Sequence, residues 1–150
     1  MNKSFEIQSK DISFVIAGRF LSGDISNLNK LRKDFPSSQI ILSTWKSDFD
    51  KLSPKIMEKI NNLVSSLVLN IDPKSEVRDV YTGRCINYLR QVSSFCSVVN
   101  LINRKYILKL RSDIFFENNK FHKNKTIINN IHKNKIVVLN VTSVFPRRWR

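Results

Sequence analysis

Short, apolar, β-rich runs alternate with helix-patterned stretches from Ile12 to Val141. The runs are Ile12–Ala17 (closed by Gly18), Gln39–Ser43, Ser66–Asn70, Tyr106–Leu110 and Lys135–Val141. Strands that are apolar on both faces belong to parallel sheets covered by helices on each side. Between the first two runs, Ile25, Leu28, Leu31 and Phe35 recur at helical spacing; Asp24 stands where a cap is needed and Pro36 stops the helix. Ser53-Pro54 marks a second helix start, running to about Leu63. A long helix is expected from about Arg84 to Asn103, and the polar, basic stretch from Asn118 to Asn134 reads as loop with a weak helix. Each β-α-β step needs a crossover, and right-handed crossovers build parallel sheets. The expectation is an α/β fold, a mainly parallel sheet with flanking helices. At 150 residues the chain is about one domain long, so a single domain over 1–150 is expected.

Several functions are excluded by what such a chain would need. There is no Gly-x-Gly-x-x-Gly and no Walker lysine loop, and with three glycines in all, glycine-rich phosphate cradles have no material. A Gly-x-Ser-x-Gly elbow is also missing. No apolar run approaches the roughly 18 residues of a membrane span, and the first ten residues lack the apolar core of a secretory signal. A cytoplasmic location is therefore expected. Cys85 and Cys96, eleven residues apart on one expected helix, would sit roughly 16 Å apart, too far for a disulfide. Both are expected to be buried thiols. His122 and His132 have no spacing that suggests a zinc site.

Charge is the unusual quantity. The chain has 26 Lys and Arg against 12 Asp and Glu, a net charge of +14, and twelve of the basic residues but only two acidic ones fall between Asn103 and Arg150. Two explanations stand side by side: an anionic partner, nucleic acid or membrane, or the Lys, Asn, Ile and Phe bias of AT-rich coding sequence. The basic residues are not interleaved with aromatics as in a stacking platform. A basic nucleic-acid-binding module is thus the alternative reading. Loose contact with the inner leaflet of the inner membrane is the expected use of the basic third.

In open α/β sheets ligands bind beyond the carboxyl ends of the strands. That rule selects Gly18 and Arg19 after the first strand, Ser43, Thr44 and Trp45 after the second, Asn70 and Asp72 after the third, and Arg111, Ser112 and Asp113 after the fourth. A carboxylate at this edge beside an arginine suits a divalent cation or a phosphate-bearing ligand; equally, Asp113 can be a loop carboxylate paired with Arg111. The long helix carries a second signal. Asn87, Arg90, Gln91 and Ser94 form one polar stripe, and Arg90 is its only charge. Solvated helix faces are usually built from Lys and Glu, so this stripe reads either as one side of a cleft or as a buried polar contact. In the cleft reading the opposite face, with Leu89, Val92, Cys96 and Val99, packs on the sheet.

The first strand, Leu31-Arg32-Lys33-Asp34-Phe35-Pro36, Ile40-Ile41-Leu42-Ser43-Thr44-Trp45, Leu69-Asn70-Ile71-Asp72-Pro73, the stripe from Asn87, and Leu108-Lys109-Leu110-Arg111-Ser112-Asp113 together resemble the WavE lipopolysaccharide synthesis family. The resemblance runs in order over about residues 12 to 145. It implies a GT-A-like glycosyltransferase of bacterial surface-polysaccharide assembly, taking a nucleotide-sugar donor and a lipid-linked oligosaccharide acceptor. Gly18, Arg19, Asn70, Asp72, Asn87, Arg90, Gln91, Ser94, Arg111 and Asp113 are the donor-binding positions it suggests. GT-A folds hold a divalent metal, Mn or Mg, on an Asp-x-Asp motif. Here Arg111-Ser112-Asp113 stands in that place, so Asp113 is the expected ligand if a metal is used, and Arg111 the alternative diphosphate partner. The family extends beyond the matched region with a His-Pro-Ser-Asp-Trp-like segment that does not occur here. The chain is therefore expected to represent the nucleotide-sugar half, or an inactive remnant.

Overall fold

The strands β1 (Ile12–Ala17), β2 (Gln39–Trp45), β3 (Ser66–Asn70) and β4 (Tyr106–Leu110) form one sheet in the order β3-β2-β1-β4, and every neighbouring pair is parallel. The structure, a computed structural model, describes residues 8–74 and 88–113. The expected α/β fold with a parallel sheet is what it shows. The fifth strand over Lys135–Val141, the stretch from Asn118 to Asn134, Cys85, Asn87 and both histidines lie outside the described residues.

Helices α1 (Ile25–Asp34), α2 (Lys46–Phe49), α3 (Pro54–Leu63) and α4 (Tyr88–Cys96) make the connections. On one face of the sheet, Ile12, Phe14, Ile16, Ile40 and Leu42 meet Leu28, Leu31 and Phe35 of the α1 segment and Ile60 of α3. The rings of Phe14 and Phe35 are tilted against each other with centroids 4.7 Å apart, a favourable edge-to-face geometry. Arg32 stitches this layer together. Its Nε donates to the Leu63 carbonyl at the end of α3 at 2.8 Å, and its Nη1 donates to Ser38 O at 2.8 Å. The intervening strand positions, Val15 and Ile41, point to the other face and pack with Val98, Phe95 and Ile102 from the α4 segment.

That second face is partly polar, and this changes how α4 sits. Ser13, Gln39 and Ser43 alternate with the apolar positions and are all buried. The Ser13 hydroxyl and the Asn103 N–H donate to Gln39 Oε1, while Gln39 Nε2 donates to the Leu101 carbonyl at 2.8 Å. Ser43 Oγ donates to the Ser94 carbonyl at 2.6 Å. Buried polar groups are generally hydrogen-bonded; the chain after α4 satisfies Gln39, and the helix turns Ser94 toward the sheet, where its carbonyl satisfies Ser43. The orientation of the cleft reading is therefore reversed, in favour of the buried polar contact: Leu89 and Val92 are 53% and 57% exposed, and Val99 and Cys96 are exposed too. Cys96 is not the buried thiol expected.

Other boundaries also move. α4 ends at Cys96, and a short 3-10 turn, Val99–Leu101, follows. Ser94 Oγ donates back to Arg90 O at 2.8 Å and Ser97 Oγ to Ser94 O at 3.1 Å. Such serine back-bonding, followed by two valines and an asparagine, weakens helix propagation. β2 extends two residues past Ser43, with all seven residues buried. Asp24 does not cap α1 with its side chain; its carboxylate accepts the Leu21 N–H at 2.8 Å and so closes the 3-10 turn before the helix.

Candidate functional site

The chain leaves β1 toward β2 and β3, then returns through α4 to place β4 on the opposite side of β1. The strand order thus reverses between β1 and β4, and the crevice beyond their carboxyl ends is the place where ligands enter such sheets. Gly18 follows β1 with φ +115°, a backbone conformation that side-chain-bearing residues rarely adopt. Its N–H donates to Ser43 O at 2.9 Å. The Arg19 carbonyl accepts the Ser112 hydroxyl at 2.6 Å, and the Ser112 carbonyl accepts Asn27 Nδ2 of α1 at 3.0 Å. These two bonds pin the turn after β4 to the turn after β1.

The charges at this edge are paired. Arg111 forms a two-pronged contact with Asp113, Nε to Oδ1 at 2.9 Å and Nη2 to Oδ2 at 2.7 Å. Their side chains are 67% and 55% exposed. The hydrogen bonds from Arg111 hold the Asp113 carboxyl below its ordinary value, and those same bonds raise Arg111. Arg19 Nε lies 3.6 Å from Asp48 Oδ2, and Lys51 Nζ lies 3.9 Å from its other oxygen. The Asp48 side chain is only 13% exposed, while that of Arg19 is 66% exposed.

A second cluster lies at the carboxyl ends of β2 and β3. Asn70 Nδ2 donates to Ser43 Oγ at 2.8 Å, and Ser43 in turn reaches Ser94 O on α4. Asp72 accepts Arg90 Nε at 2.7 Å and Nη2 at 2.8 Å, and also the Lys74 N–H at 3.0 Å. Partial burial alone would raise the Asp72 carboxyl, but the bonds and charges of Arg90 and Lys74 outweigh it and the net shift is downward.

The positions named from sequence therefore fall into two groups. Gly18, Arg19, Arg111 and Asp113 meet at the β1/β4 crevice. Asn70, Asp72, Arg90, Gln91 and Ser94 belong to the β2/β3 end and α4; Gln91 is exposed there. Ser94 does not line a cleft: it is wholly buried and hydrogen-bonded within the helix–sheet contact. Asn27 and Asp48 are the contributors that sequence reasoning did not single out. The sequence signal for Asp48 was its place one turn beyond the carboxyl end of β2.

A resident divalent cation does not fit these side chains as they stand. Both oxygens of Asp113 are taken by Arg111, whose positive charge opposes a cation there. Among the described residues no group of three or more His, Cys, Asp or Glu side chains is placed to hold a metal ion. Hard cations need several oxygen ligands.

Fold and geometry together define a parallel α/β protein with a charged edge at its switch point. The WavE lipopolysaccharide synthesis family matches residues 12–144, and the chain belongs to that family. Membership makes it a glycosyltransferase-like protein of lipopolysaccharide synthesis. No curated protein and no solved structure is significantly similar to it. Among the described residues no helix is long and apolar enough to cross a membrane.

Proposed function

We propose that the chain is the donor-binding part of a GT-A-like glycosyltransferase and holds a nucleotide-sugar at the β1/β4 crevice. The observation that carries this reading is the joining of Arg19 to the Arg111-Ser112-Asp113 turn at the switch point of a sheet whose family makes lipopolysaccharide. In sugar transfer an acceptor hydroxyl forms a bond to the anomeric carbon as the bond to the diphosphate oxygen breaks. Negative charge then builds on the leaving diphosphate. Guanidinium groups fixed beside that oxygen stabilise the charge as it develops, and the planar fork of arginine matches phosphate oxygens well.

In this reading the acceptor is a lipid-linked oligosaccharide, met at the cytoplasmic face of the inner membrane. Asn70, Asp72 and Arg90 border the donor site without touching the diphosphate. The test is a nucleotide-sugar panel read by thermal shift. A donor at a hundred times its dissociation constant adds roughly 2.7 kcal/mol of stability, which raises the melting temperature by several degrees. A panel with no shift for any nucleotide-sugar would sink the reading. Steep, salt-sensitive binding of single-stranded DNA in its place would favour a nucleic-acid module.

A further inference from the structure

The two arginines of the crevice are each held by a carboxylate of the chain itself. Arg111 grips Asp113 with the same two-pronged geometry that a guanidinium offers a phosphate. Arg19 rests against Asp48. Both guanidiniums are about two-thirds exposed. The Arg111–Asp113 pair is open to water at both partners, and such pairs contribute little to stability; Asp48 is largely buried, but Lys51 Nζ stays 3.9 Å from it when Arg19 leaves, so neither contact is held strongly. They are therefore easily opened by a ligand that pairs better. The backbone between them is fixed: Ser112 Oγ donates to Arg19 O, and Asn27 holds the Ser112 carbonyl. The arginines thus emanate from one braced junction while their side chains remain exchangeable.

We propose that Arg19 and Arg111 bind the diphosphate by exchange, leaving their carboxylates for the ligand's phosphate oxygens, and that this binding needs no divalent cation. The inference rests on the donor-binding reading above and deepens it. Asp113 is then a positioning residue. It keeps the Arg111 fork at the crevice in the empty protein and competes with the ligand for it. A metal ligand at the same position would have the opposite effect on affinity, because removing its charge would weaken binding. The sign of the Asp113→Asn effect therefore separates the two chemistries.

Inorganic pyrophosphate and a panel of nucleoside diphosphates are titrated into the full chain by calorimetry, in EDTA and in excess magnesium. Exchange predicts that pyrophosphate binds in EDTA, and that Asp113→Asn tightens it about twofold to fivefold, the release of one exposed ion pair. Arg111→Gln should weaken it at least tenfold, as loss of charged hydrogen bonds does. Arg111→Lys, which keeps the charge without the fork, should fall between. Circular dichroism melts show whether each variant is folded. Vesicles containing a polyprenyl diphosphate form a separate arm: the proposal requires soluble nucleoside diphosphates to bind at least as tightly as the lipid headgroup. Binding that appears only with magnesium and is lost in Asp113→Asn would overturn the exchange and leave the donor reading standing. No binding of pyrophosphate or of any nucleoside diphosphate, with or without metal, would overturn both.

Discussion

Replacing Leu89 in α4 and Val98, two residues past its end, in turn by alanine tests which side of this segment meets the sheet. Val98 is fully buried against Val15 and Ile41. Val98→Ala removes two carbons, worth about 0.8 kcal/mol each in transfer terms, and leaves a small cavity whose lining relaxes only in part. The expected loss is about 1.5–3 kcal/mol, or roughly 3–10 °C in melting temperature for a chain of this length. Leu89 is a larger side chain but is 53% exposed. Leu89→Ala should stay within about 0.5 kcal/mol, the usual range for surface changes. Urea denaturation reads both, with unchanged slopes showing that the denatured state is unaffected. If Leu89→Ala costs as much as Val98→Ala, the apolar stripe is the packed face and the hydrogen-bonded orientation of α4 is wrong.

Gly18→Ala should destabilise by about 1–3 kcal/mol through backbone strain alone, since φ is +115° and an added Cβ meets nothing within 4 Å among the described residues; a thermal melt at parental stability would remove the strain argument. Thr44→Val should be neutral or stabilising, because the buried Thr44 hydroxyl has no hydrogen-bond partner among the described residues and an apolar isostere removes its desolvation penalty; a loss above about 1 kcal/mol would reveal a bond to that hydroxyl. Acid titration should expose the Asp72–Arg90 pair. The Asp72 carboxyl is held below its ordinary value of 3.8, so its contribution is complete above that value and is lost as the pH falls through the folded one. Urea midpoints should drop less steeply below pH 4 in Asp72→Asn than in the parent, and identical acid limbs would show that the pair does not stabilise the fold.

The first four expected strands and the first layer of helices were legible because they rest on period alone. Ile25, Leu28, Leu31 and Phe35 fall on one face, and Leu28, Leu31 and Phe35 are almost wholly buried there. The apolar runs became adjacent parallel strands in the manner that crossovers impose. What was not legible was the orientation of α4, because hydrophobic periodicity assumes an apolar partner. β1 and β2 carry Ser13, Gln39 and Ser43 on the face that α4 meets. Had these residues been counted as one polar sheet face, rather than as interruptions in apolar runs, the polar stripe would have been matched to it. The candidate site at the strand ends followed from topology, so the positions of Arg19, Arg111 and Asp113 at that edge were expected. Their pairing was open, since sequence gives no distance between a carboxylate and the guanidinium two residues away.

The orientation of α4 also decides where charge is available for a ligand. At the β3 end, Arg90 is locked to Asp72, which also accepts the Lys74 N–H. That pair is largely shielded, with side chains 34% and 22% exposed. Breaking a shielded pair strands a charge in partly dehydrated surroundings, so an incoming anion must offset that penalty before it gains anything. At the β1/β4 crevice both arginines face water; Asp113 is itself exposed to water, and Asp48, though largely buried, keeps Lys51 as a partner when Arg19 leaves. The same residue types are thus held differently at two ends of one sheet edge. Arg90→Ala should lower stability with only an indirect effect on diphosphate binding, and Arg111→Ala should lower diphosphate binding with little effect on stability. Urea midpoints and pyrophosphate titrations on both variants give the four numbers needed. If Arg90→Ala weakens pyrophosphate as much as Arg111→Ala while leaving the urea midpoint unchanged, charge at the β3 end serves the ligand directly and the division of labour drawn from exposure is incorrect.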